Sequence, residues 1–315
     1  MRRARGGHER GALMAGLITL LGGAGFVGRS VANRLVAAGY NLRIPTRDPE
    51  QVHPDIRVLP ESELVRANIH DPQVLGDAIA GSRCVINLVG ILNEKGRDGS
   101  GFRQAHVDLP RKLLEACRAQ GIRHILHMSA LNADPVHGPS HYLRSKGEGE
   151  NLLHDQSVIR VTSFRPSVIF GPGDGFFARF AGLLAITPGI FPLPCAEARF
   201  APVHVVDVAE AFARAIDDPA TFGQRYDLCG PREYTLAELV RYTARCRGLS
   251  RTILPLPDFI SRIQAAILDF VPGKPFSTDN YLSAQVDSVC KCNGLLALGI
   301  QPSPVEAIVP RYLRT

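Results

Sequence analysis

The stretch LITLLGGAGFVGRSVANRLVAAGY, residues 17–40, decides the fold of this chain of 315 residues. It overlaps a run of 17 uncharged residues, 12–28, which follows the arginine-rich start MRRARGGHER. Such a run is either the apolar core of a secretory signal or membrane anchor, or a buried strand, a glycine turn and a helix. It is shorter than the ~20 residues that span a bilayer, and five of its residues are glycines. We therefore expect no signal peptide and no transmembrane helix.

The glycines have the spacing of a nucleotide-binding turn. Gly22, Gly25 and Gly28 come directly after the apolar run 17–21, and a helical pattern of apolar residues follows them. In such a turn the first glycine permits the bend, and the second lets the backbone approach a pyrophosphate. The third lets the helix pack closely on the strand, while the helix N-terminus attracts the phosphates. The stretch therefore predicts a dinucleotide site.

The end of the second strand indicates which dinucleotide is bound. A carboxylate that reads the adenosine 2′-hydroxyl is expected there, about 20 residues beyond the glycines. That window holds Thr46, Arg47 and Asp48. Arg47 suits a 2′-phosphate, whereas Asp48, which precedes a proline, keeps NAD(H) open. We favour NADP(H) over NAD(H).

Apolar strands and helical patterns alternate over the first half of the chain. This alternation predicts an α/β fold, a Rossmann-type doubly wound parallel sheet with a smaller, mostly helical C-terminal lobe. After the glycine turn and the strand 41–46, we expect strands at 57–59, 84–89, 125–128 and 158–164 and helices at 71–80, 109–119 and 142–153. The predicted units are a disordered tail (1–13), a nucleotide-binding domain (14–170, to which 203–229 returns) and the lobe (171–202 and 230–315).

Charge and cysteines restrict the other possibilities. The formal net charge is +6, and four arginines against one glutamate lie within residues 1–13. No zinc-finger, helix-turn-helix or RNA-recognition signature accompanies them, so we expect no nucleic-acid partner. The seven cysteines lack a framework of spacings, which favours free thiols in a reducing compartment. Cys290 and Cys292 have no second pair of ligands nearby, and we expect two ordinary thiols and no metal site.

The segment HYLRSKGEGE carries the candidate chemistry. Tyr142 and Lys146 are four residues apart on a predicted helix and therefore share a face. In that arrangement the ammonium lowers the pKa of the phenol and can hold the nicotinamide ribose, so that the tyrosine can exchange a proton during hydride transfer. The alternative is a surface tyrosine beside a solvated lysine.

Together these motifs resemble the extended and atypical short-chain dehydrogenases/reductases. More narrowly, YLRSKGEGE, RPSVIFGPGDGFFARFA and the ending LGIQPSPVEAIVPRYLR are similar to the nucleotide-binding accessory subunit of respiratory complex I and its bacterial relatives. The resemblance runs from about residue 17 to the end. It implies a tightly held NADP(H) and, for the mitochondrial members, a role in the assembly and stability of the complex.

The resemblance also implies which residues line the nucleotide site. Besides the three glycines, Arg47, Tyr142 and Lys146, they are Phe26, Val27, Asn68, Ile69, Leu88, Val89, Gly90, Pro166, Ser167 and Val168. Two positions depart from the family pattern. Asn68 stands where an acid is usual, and Ala130 stands where active members place a Ser or Thr that polarises the substrate oxygen. Ser129 precedes it and remains a candidate catalytic residue beside Tyr142 and Lys146.

A C-terminal stripe of apolar residues is open to two interpretations. Phe259, Ile263, Ile267 and Phe270 recur at helical spacing in LPDFISRIQAAILDF. Such a stripe can dock on a partner or a membrane, but more often it is the core of its own lobe. We expect a core.

Two functions therefore remain. The first is a nucleotide-holding structural or assembly factor, cytoplasmic and peripheral on the inner membrane, with respiratory complex I or that membrane surface as its partner. The second is an active NAD(P)H-dependent reductase or a sugar-nucleotide epimerase/dehydratase with a small-molecule substrate. Ala130 and the specific ending favour the first, whereas the Tyr142/Lys146 pair favours the second.

Overall fold

The computed structural model describes residues 16–272 and 274–313, so the predicted tail 1–13 lies outside the described residues. The strands of the main sheet are β1 (Leu17–Leu21), β2 (Asn41–Thr46), β3 (Ser62–Arg66), β4 (Cys84–Asn87), β5 (His124–Met128), β6 (Arg160–Pro166) and β11 (Arg225–Leu228). The shorter strands are β7 (Ile169–Phe170), β8 (Ile190–Leu193), β9 (Arg199–Phe200), β10 (Val203–His204), β12 (Tyr234–Thr235) and β13 (Thr252–Pro255).

Helices follow most of these strands. They are α1 (Phe26–Ala37), α2 (Pro54–Arg57), α3 (Pro72–Ile79), α4 (Ser100–Arg103), α5 (Leu109–Ala119), α6 (His141–His154), α7 (Phe177–Ile186), α8 (Val205–Ala215), α9 (Leu236–Cys246), α10 (Asp258–Leu268), α11 (Thr278–Ser283), α12 (Gly294–Ala297) and α13 (Val305–Leu313). A π-helical turn at Gln104–Asp108 joins α4 to α5.

The main sheet is parallel throughout and has the order β11-β6-β5-β4-β1-β2-β3. Alternate residues of a strand point to opposite faces, so Ile18 and Leu20 join one core while Leu21 joins the other. The first core packs α1 and α8 on the sheet, and the second packs α3 and α5. The predicted α/β class is confirmed. Because the strand order reverses between β1 and β4, the crevice at their carboxyl ends is the expected ligand site.

The second half of the chain contributes to both parts of the molecule. β11 pairs with β6 at the edge of the main sheet, and residues of α8 such as Phe212 lie in the first core. Two further apolar clusters are made of residues between 170 and 313, with α7 and α9 contributing to both. The division into a nucleotide domain and a lobe stays a prediction.

The strand predicted at 57–59 is wrong. Pro54 begins the short helix α2 because its fixed φ suits the first helical position, and the His53 Nδ1 accepts the backbone N–H of Asp55. Val58 follows that helix with 79 % of its surface exposed. The strand of this region is β3, which pairs with β2.

The prediction of free thiols is wrong for two of the seven cysteines. Cys229, at the end of β11, forms a disulfide with Cys290, 61 residues further along the chain. The other five, including the exposed Cys292, are free. The spacing of the cysteines could not reveal this pair, because the fold alone brings residues 290–293 to the end of β11, where Asn293 also bonds to the backbone of Cys229.

The stripe on α10 does not form a core, so that prediction is wrong as well. Phe259, Ile263, Ile267 and Phe270 are 65 %, 56 %, 62 % and 72 % exposed. The buried residues of α10 are Ser261 and Ala265, which lie on the opposite side of the helix. Between residues 16 and 313, Gly273 excepted, no helix is both long and apolar enough to cross a membrane.

Candidate functional site

The glycine turn forms an open cradle at the carboxyl end of β1. Gly22 adopts φ 81°, which favours glycine. A side chain at Gly28 would place its Cβ 2.5 Å from the Gly23 Cα and closer still to the Gly22 carbonyl oxygen, so only glycine allows this contact between helix and turn. At the start of α1, Gly25 provides no side-chain cap and the first turn has no acid. The first backbone N–H groups of α1, at the positive end of the helix dipole, are therefore available to an anion. A pyrophosphate fits this position.

The segment after β4 closes one side of this cradle. A Cβ at Gly22 would lie 3.2 Å from the Leu88 carbonyl carbon and 3.3 Å from the Val89 nitrogen. Gly90 in turn borders the catalytic candidate, because its own Cβ would lie 3.0 Å from Lys146 Nζ. The structure thus brings the glycine turn, residues 88–90 and Lys146 together, although they are far apart in the sequence.

The other end of the cradle is the carboxyl end of β2. Arg47 is exposed there, and within the described residues it has no acid as an ion-pair partner. The Asp48 carboxylate is hydrogen-bonded within its own loop. Its carboxylate accepts the Glu50 backbone N–H at 3.1 Å and the Gln51 side-chain amide at 2.7 Å, and it lies 3.6 Å from Arg66.

Two further predicted residues follow β3. The exposed Asn68 folds its side chain back, so that its Oδ1 accepts the backbone N–H of His70 at 3.3 Å. Ile69 is half-buried and packs against the second core. Asn68 therefore shapes the turn between β3 and α3, and its amide is exposed at the side of the sheet where Arg47 lies.

Tyr142 and Lys146 lie on one face of α6, as predicted. Lys146 Nζ is buried and donates to the Met128 carbonyl oxygen at 3.0 Å, and burial lowers the pKa of this ammonium to about 8. Burial, together with the nearby Asp279 carboxylate, raises the pKa of the Tyr142 phenol to about 12. The Tyr142 pKa is therefore shifted away from neutral pH, opposite to the expected direction.

The Asp279 carboxylate belongs to helix α11. Asp279 accepts the backbone N–H groups of His141 at 2.7 Å and of Tyr142 at 3.2 Å. The Ser140 hydroxyl caps the same helix by accepting the Leu143 N–H at 3.1 Å. Burial raises the pKa of Asp279 itself. The N-terminus of α6 is thus filled by side chains of the protein.

The Ser129 hydroxyl is hydrogen-bonded to a buried carboxylate. Its hydroxyl donates to Glu150 at 2.5 Å, and Glu150 is fully buried. The same carboxylate accepts Arg165 Nε at 2.9 Å and Arg225 Nε at 2.8 Å. In this arrangement the hydroxyl is engaged, and the next residue, Ala130, provides no polar group.

The segment 166–168 is likewise held by the protein. The Ser167 hydroxyl donates to the Ser288 carbonyl oxygen at 2.6 Å and accepts the Ala201 N–H at 3.3 Å. The Pro166 carbonyl accepts the Leu131 N–H. Ser167 therefore fastens the C-terminal segment around residue 288 to the end of β6, and only the backbone and Val168 remain to flank a nicotinamide.

Sequence reasoning missed His106, which lies in the π-helical turn. Its Nε2 accepts the Ile91 N–H at 3.1 Å, and its Nδ1 lies 2.9 Å from the Ser145 hydroxyl. The ring packs edge-on against Tyr142, with centroids 5.5 Å apart. Burial holds the pKa of His106 well below its ordinary range, so the ring is neutral and its Nδ1–H donates to Ser145. His106 thus positions the loop after Gly90 against α6, and no sequence pattern marks it.

Arg29 was also missed, although its position directly after the third glycine is a signal. It lies in the first turn of α1, and its guanidinium is 2.7 Å from the point where Gly173 would carry a Cβ. Among the described residues no acid forms an ion pair with it. This cation is therefore free to contribute to the phosphate end of the cradle.

A cavity of about 120 Å³ adjoins Tyr142. Phe102 and Asp279, which both contact Tyr142, form part of its wall together with Glu94, Arg97, His141 and Lys274. A larger, open groove of about 370 Å³ lies between α5 and α6. None of the predicted site residues lines either space, and only the smaller cavity shares wall residues that contact Tyr142.

Comparison with known proteins identifies the family of this chain. The model of the NAD dependent epimerase/dehydratase family matches residues 18–229. The chain is 30 % identical over 302 residues to the mouse protein "NADH dehydrogenase [ubiquinone] 1 alpha subcomplex subunit 9, mitochondrial", with 91 % of this chain and 77 % of that protein covered. It is 31 % identical over 246 residues to a "ceramide reductase" of Caulobacter vibrioides, covering 77 % and 74 % of the two chains.

Among solved structures, the NADPH-dependent quinone oxidoreductase QOR2 of Escherichia coli has a similar fold. The TM-score is 0.74 at 19 % identity, and the match covers 94 % of this chain and 99 % of the other. The family match covers the glycine turn, the main sheet and the Tyr142/Lys146 helix. This protein therefore belongs to the NAD dependent epimerase/dehydratase family and has an NAD(P)-binding Rossmann fold related to the accessory subunit of complex I.

Proposed function

We propose that this protein holds NADP(H) as a structural component and acts as an assembly or stability factor, as the resemblance to the complex I accessory subunit implies. The observation that carries this proposal is the contrast within one site. The glycine turn at α1 is open and fits a pyrophosphate, whereas the Ser129 hydroxyl, the candidate partner of Tyr142, is bonded to Glu150 and is followed by Ala130.

The residues present fit a bound dinucleotide. The turn 22–28 would hold the pyrophosphate with its backbone N–H groups, aided by Arg29. Lys146 would bond to the nicotinamide ribose, and residues 88–90 and 166–168 would flank the ring. When bound, NADP(H) supplies or accepts a hydride at its nicotinamide.

The choice of NADP(H) over NAD(H) rests on Arg47 and Asp48. An acid that reads the 2′-hydroxyl needs a free carboxylate, and the Asp48 carboxylate already accepts two hydrogen bonds from its own loop. Arg47 is exposed and matches the two charges of a 2′-phosphate. Both features favour the phosphorylated cofactor.

The electrostatics of Tyr142 support the structural role. Proton exchange near neutral pH needs a phenol whose pKa is lowered toward that range. Here burial and Asp279 raise the pKa of Tyr142 to about 12. Burial lowers the pKa of the Lys146 ammonium to about 8, so Lys146 begins to lose its positive charge just above neutral pH. Tyr142 therefore keeps its proton and serves better as a hydrogen-bond donor to the cofactor than as a catalytic acid.

The second candidate is an active NAD(P)H-dependent reductase. Two observations favour it, namely the shared face of Tyr142 and Lys146 and the cavity of about 120 Å³ beside Tyr142. The similarity to a ceramide reductase and to a quinone oxidoreductase supports the same candidate. Its substrate would be a small molecule with a reducible carbonyl or quinone group. The variant that the family name suggests is an epimerase or dehydratase, for which a sugar nucleotide would be the substrate.

The partner and the location follow from the first candidate. A relative of the complex I subunit would associate with that complex or with the surface of the inner membrane, on its cytoplasmic side in a bacterium. All residues proposed for the nucleotide site belong to this chain, so the two parts of the proposal can be tested separately.

The two candidates are distinguished by turnover. We expect the purified protein to carry NADP(H) and to oxidise added NADPH no faster than its Tyr142→Phe variant when carbonyl compounds and quinones are supplied. Tyr142→Phe is the matched control, because it removes only the hydroxyl. Turnover by the wild type that this variant loses by about a hundredfold or more would show a working acid and overturn the structural role.

A further inference from the structure

Helix α10 exposes a continuous apolar face. The α10 face consists of Phe259, Ile263, Ile267 and Phe270, and Ile260 beside it is 37 % exposed. Exposed patches of this kind on otherwise globular proteins mark interaction sites. The nucleotide site does not use these residues.

The two acidic residues of segment 258–270 point away from the α10 face. Asp258 accepts the Tyr281 hydroxyl at 2.9 Å, and Asp269 accepts the Thr278 hydroxyl at 2.6 Å and its backbone N–H at 3.1 Å. Tyr281 and Thr278 belong to α11, so both carboxylates are turned toward that helix and away from the α10 face. Residues 258–270 contain no other acid.

Cations, in contrast, border the α10 face. Arg262 is exposed on the helix itself. Arg97 is also exposed, and its guanidinium lies 3.5 Å from the centroid of the Phe270 ring. An apolar face with basic residues at its margin and its acids turned inward complements the boundary between anionic headgroups and acyl chains.

We propose that the α10 face docks this protein on an anionic lipid bilayer. The four apolar side chains enter the boundary of the acyl region, and Arg262 and Arg97 pair with lipid phosphates. This inference rests on the membrane association given under the proposed function and names the face that makes it, a surface that the nucleotide site does not need.

The docked orientation has a consequence for the cavity beside Tyr142. Arg97, Asp269 and Lys274 line that cavity, and Arg97 also adjoins the α10 face through Phe270. Lys274 Nζ donates to the Gly96 carbonyl oxygen at 2.5 Å, which fastens the segment after α10 to the loop after β4. Docking therefore places the cavity next to the lipid surface.

The test is sedimentation of the full chain with vesicles of phosphatidylcholine, with and without phosphatidylglycerol. We expect the wild type to bind the anionic vesicles and to bind the neutral ones more weakly. The double variant Ile263→Glu, Ile267→Glu should lose at least about tenfold in partitioning, and Arg262→Gln should lose about threefold to fivefold on anionic vesicles only. Leu296→Glu, an exposed residue on α12, is the matched control and should bind like the wild type.

Several outcomes would overturn the proposal. They are no vesicle binding by the wild type, equal binding by the double variant, and equal affinity for both kinds of vesicle. A wild-type dimer that the double variant dissociates, without vesicle binding, would assign the face to a second copy instead. Bound nucleotide is measured in the same samples and should be unchanged, so a failure of lipid docking is distinguishable from a failure of the nucleotide role. Arg262→Gln keeps the test decisive if the double variant does not fold.

Discussion

The N-termini of α1 and α6 both belong to the candidate site but are built in opposite ways. At α1 the chain provides glycines, no capping side chain and no acid, so the N–H groups are free. At α6 the Ser140 hydroxyl and the Asp279 carboxylate occupy the corresponding groups. A helix N-terminus attracts an anion in either case. At α1 the anion would come from a ligand, whereas at α6 the protein provides it as the Asp279 carboxylate.

This difference separates nucleotide binding at α1 from proton transfer at α6. The open N-terminus at α1, with Gly22 and residues 88–90 around it, is the site that we propose for the nucleotide. The closed N-terminus at α6 carries Tyr142, and the carboxylate that closes it raises the phenol's pKa. The protein therefore retains an NAD(P)-binding fold, while the environment of Tyr142 is unfavourable for proton transfer.

The largest effect is expected from closing the α1 cradle. Gly28→Val puts side-chain atoms onto the Gly22 carbonyl and the Gly23 Cα, so the helix must move away from the turn. We expect at least about a hundredfold loss of NADPH affinity, which corresponds to about 3 kcal/mol, measured by calorimetric titration. Gly76→Ala is the control, because its Cβ would meet only the Gln120 amide at 3.9 Å, and it should bind normally. Normal binding by the valine variant would place the nucleotide elsewhere.

A smaller effect is expected at the adenine end of the same cradle. Arg47→Asp replaces the cation expected at the 2′-phosphate by an anion, and we expect a loss of NADPH affinity of about ten- to a hundredfold with little change for NADH. Both affinities are measured by quenching of protein fluorescence or by calorimetry. Arg57→Asp, the same change at an exposed arginine of neighbouring α2, controls for the change of two units in net charge. Unchanged NADPH affinity would refute the assignment of Arg47.

The smallest effect is expected from opening the α6 end. Asp279→Asn keeps a hydrogen-bond acceptor but removes the charge, so the pKa of Tyr142 should fall from about 12 while staying above its ordinary value of 10, because burial is the larger cause of the shift. The readout is the phenolate absorbance during an alkaline titration, with Tyr142→Phe subtracted.

The free energy of unfolding should change by less than about 1 kcal/mol in that variant, since the attraction of the charge to the helix end and the cost of burying it oppose each other. Asp155→Asn changes a residue at the other end of α6 and should leave the Tyr142 titration unaltered. An identical titration of Tyr142 in the Asp279→Asn protein would show that Asp279 does not close the site electrostatically.

Local patterns made most of the sheet and the phosphate end of the site predictable. The helix 109–119 was predicted with its observed bounds, and the glycine spacing located the turn, because both depend on residues close together in the chain. The strand at 57–59 failed because Pro54 starts a helical turn there. The disulfide, Asp279 and the Glu150 network depend on contacts across 61, 137 and 75 residues, which no local pattern contains.

The α10 stripe shows a different limit. Its periodicity correctly predicted an amphipathic helix, but periodicity does not tell which surface covers the apolar side. His106 illustrates the same limit for the site, because its role depends on a π-helical turn and on the distant partners Ile91 and Ser145.

The central claim, that NADP(H) is a structural component of this protein, is tested most directly by the dissociation rate of the bound nucleotide. The co-purified nucleotide is identified first, and the protein is then mixed with labelled NADPH and sampled over time. The account predicts one nucleotide per chain that scarcely exchanges over hours. Exchange within seconds would mean that the site is built for turnover, and it would contradict the claim.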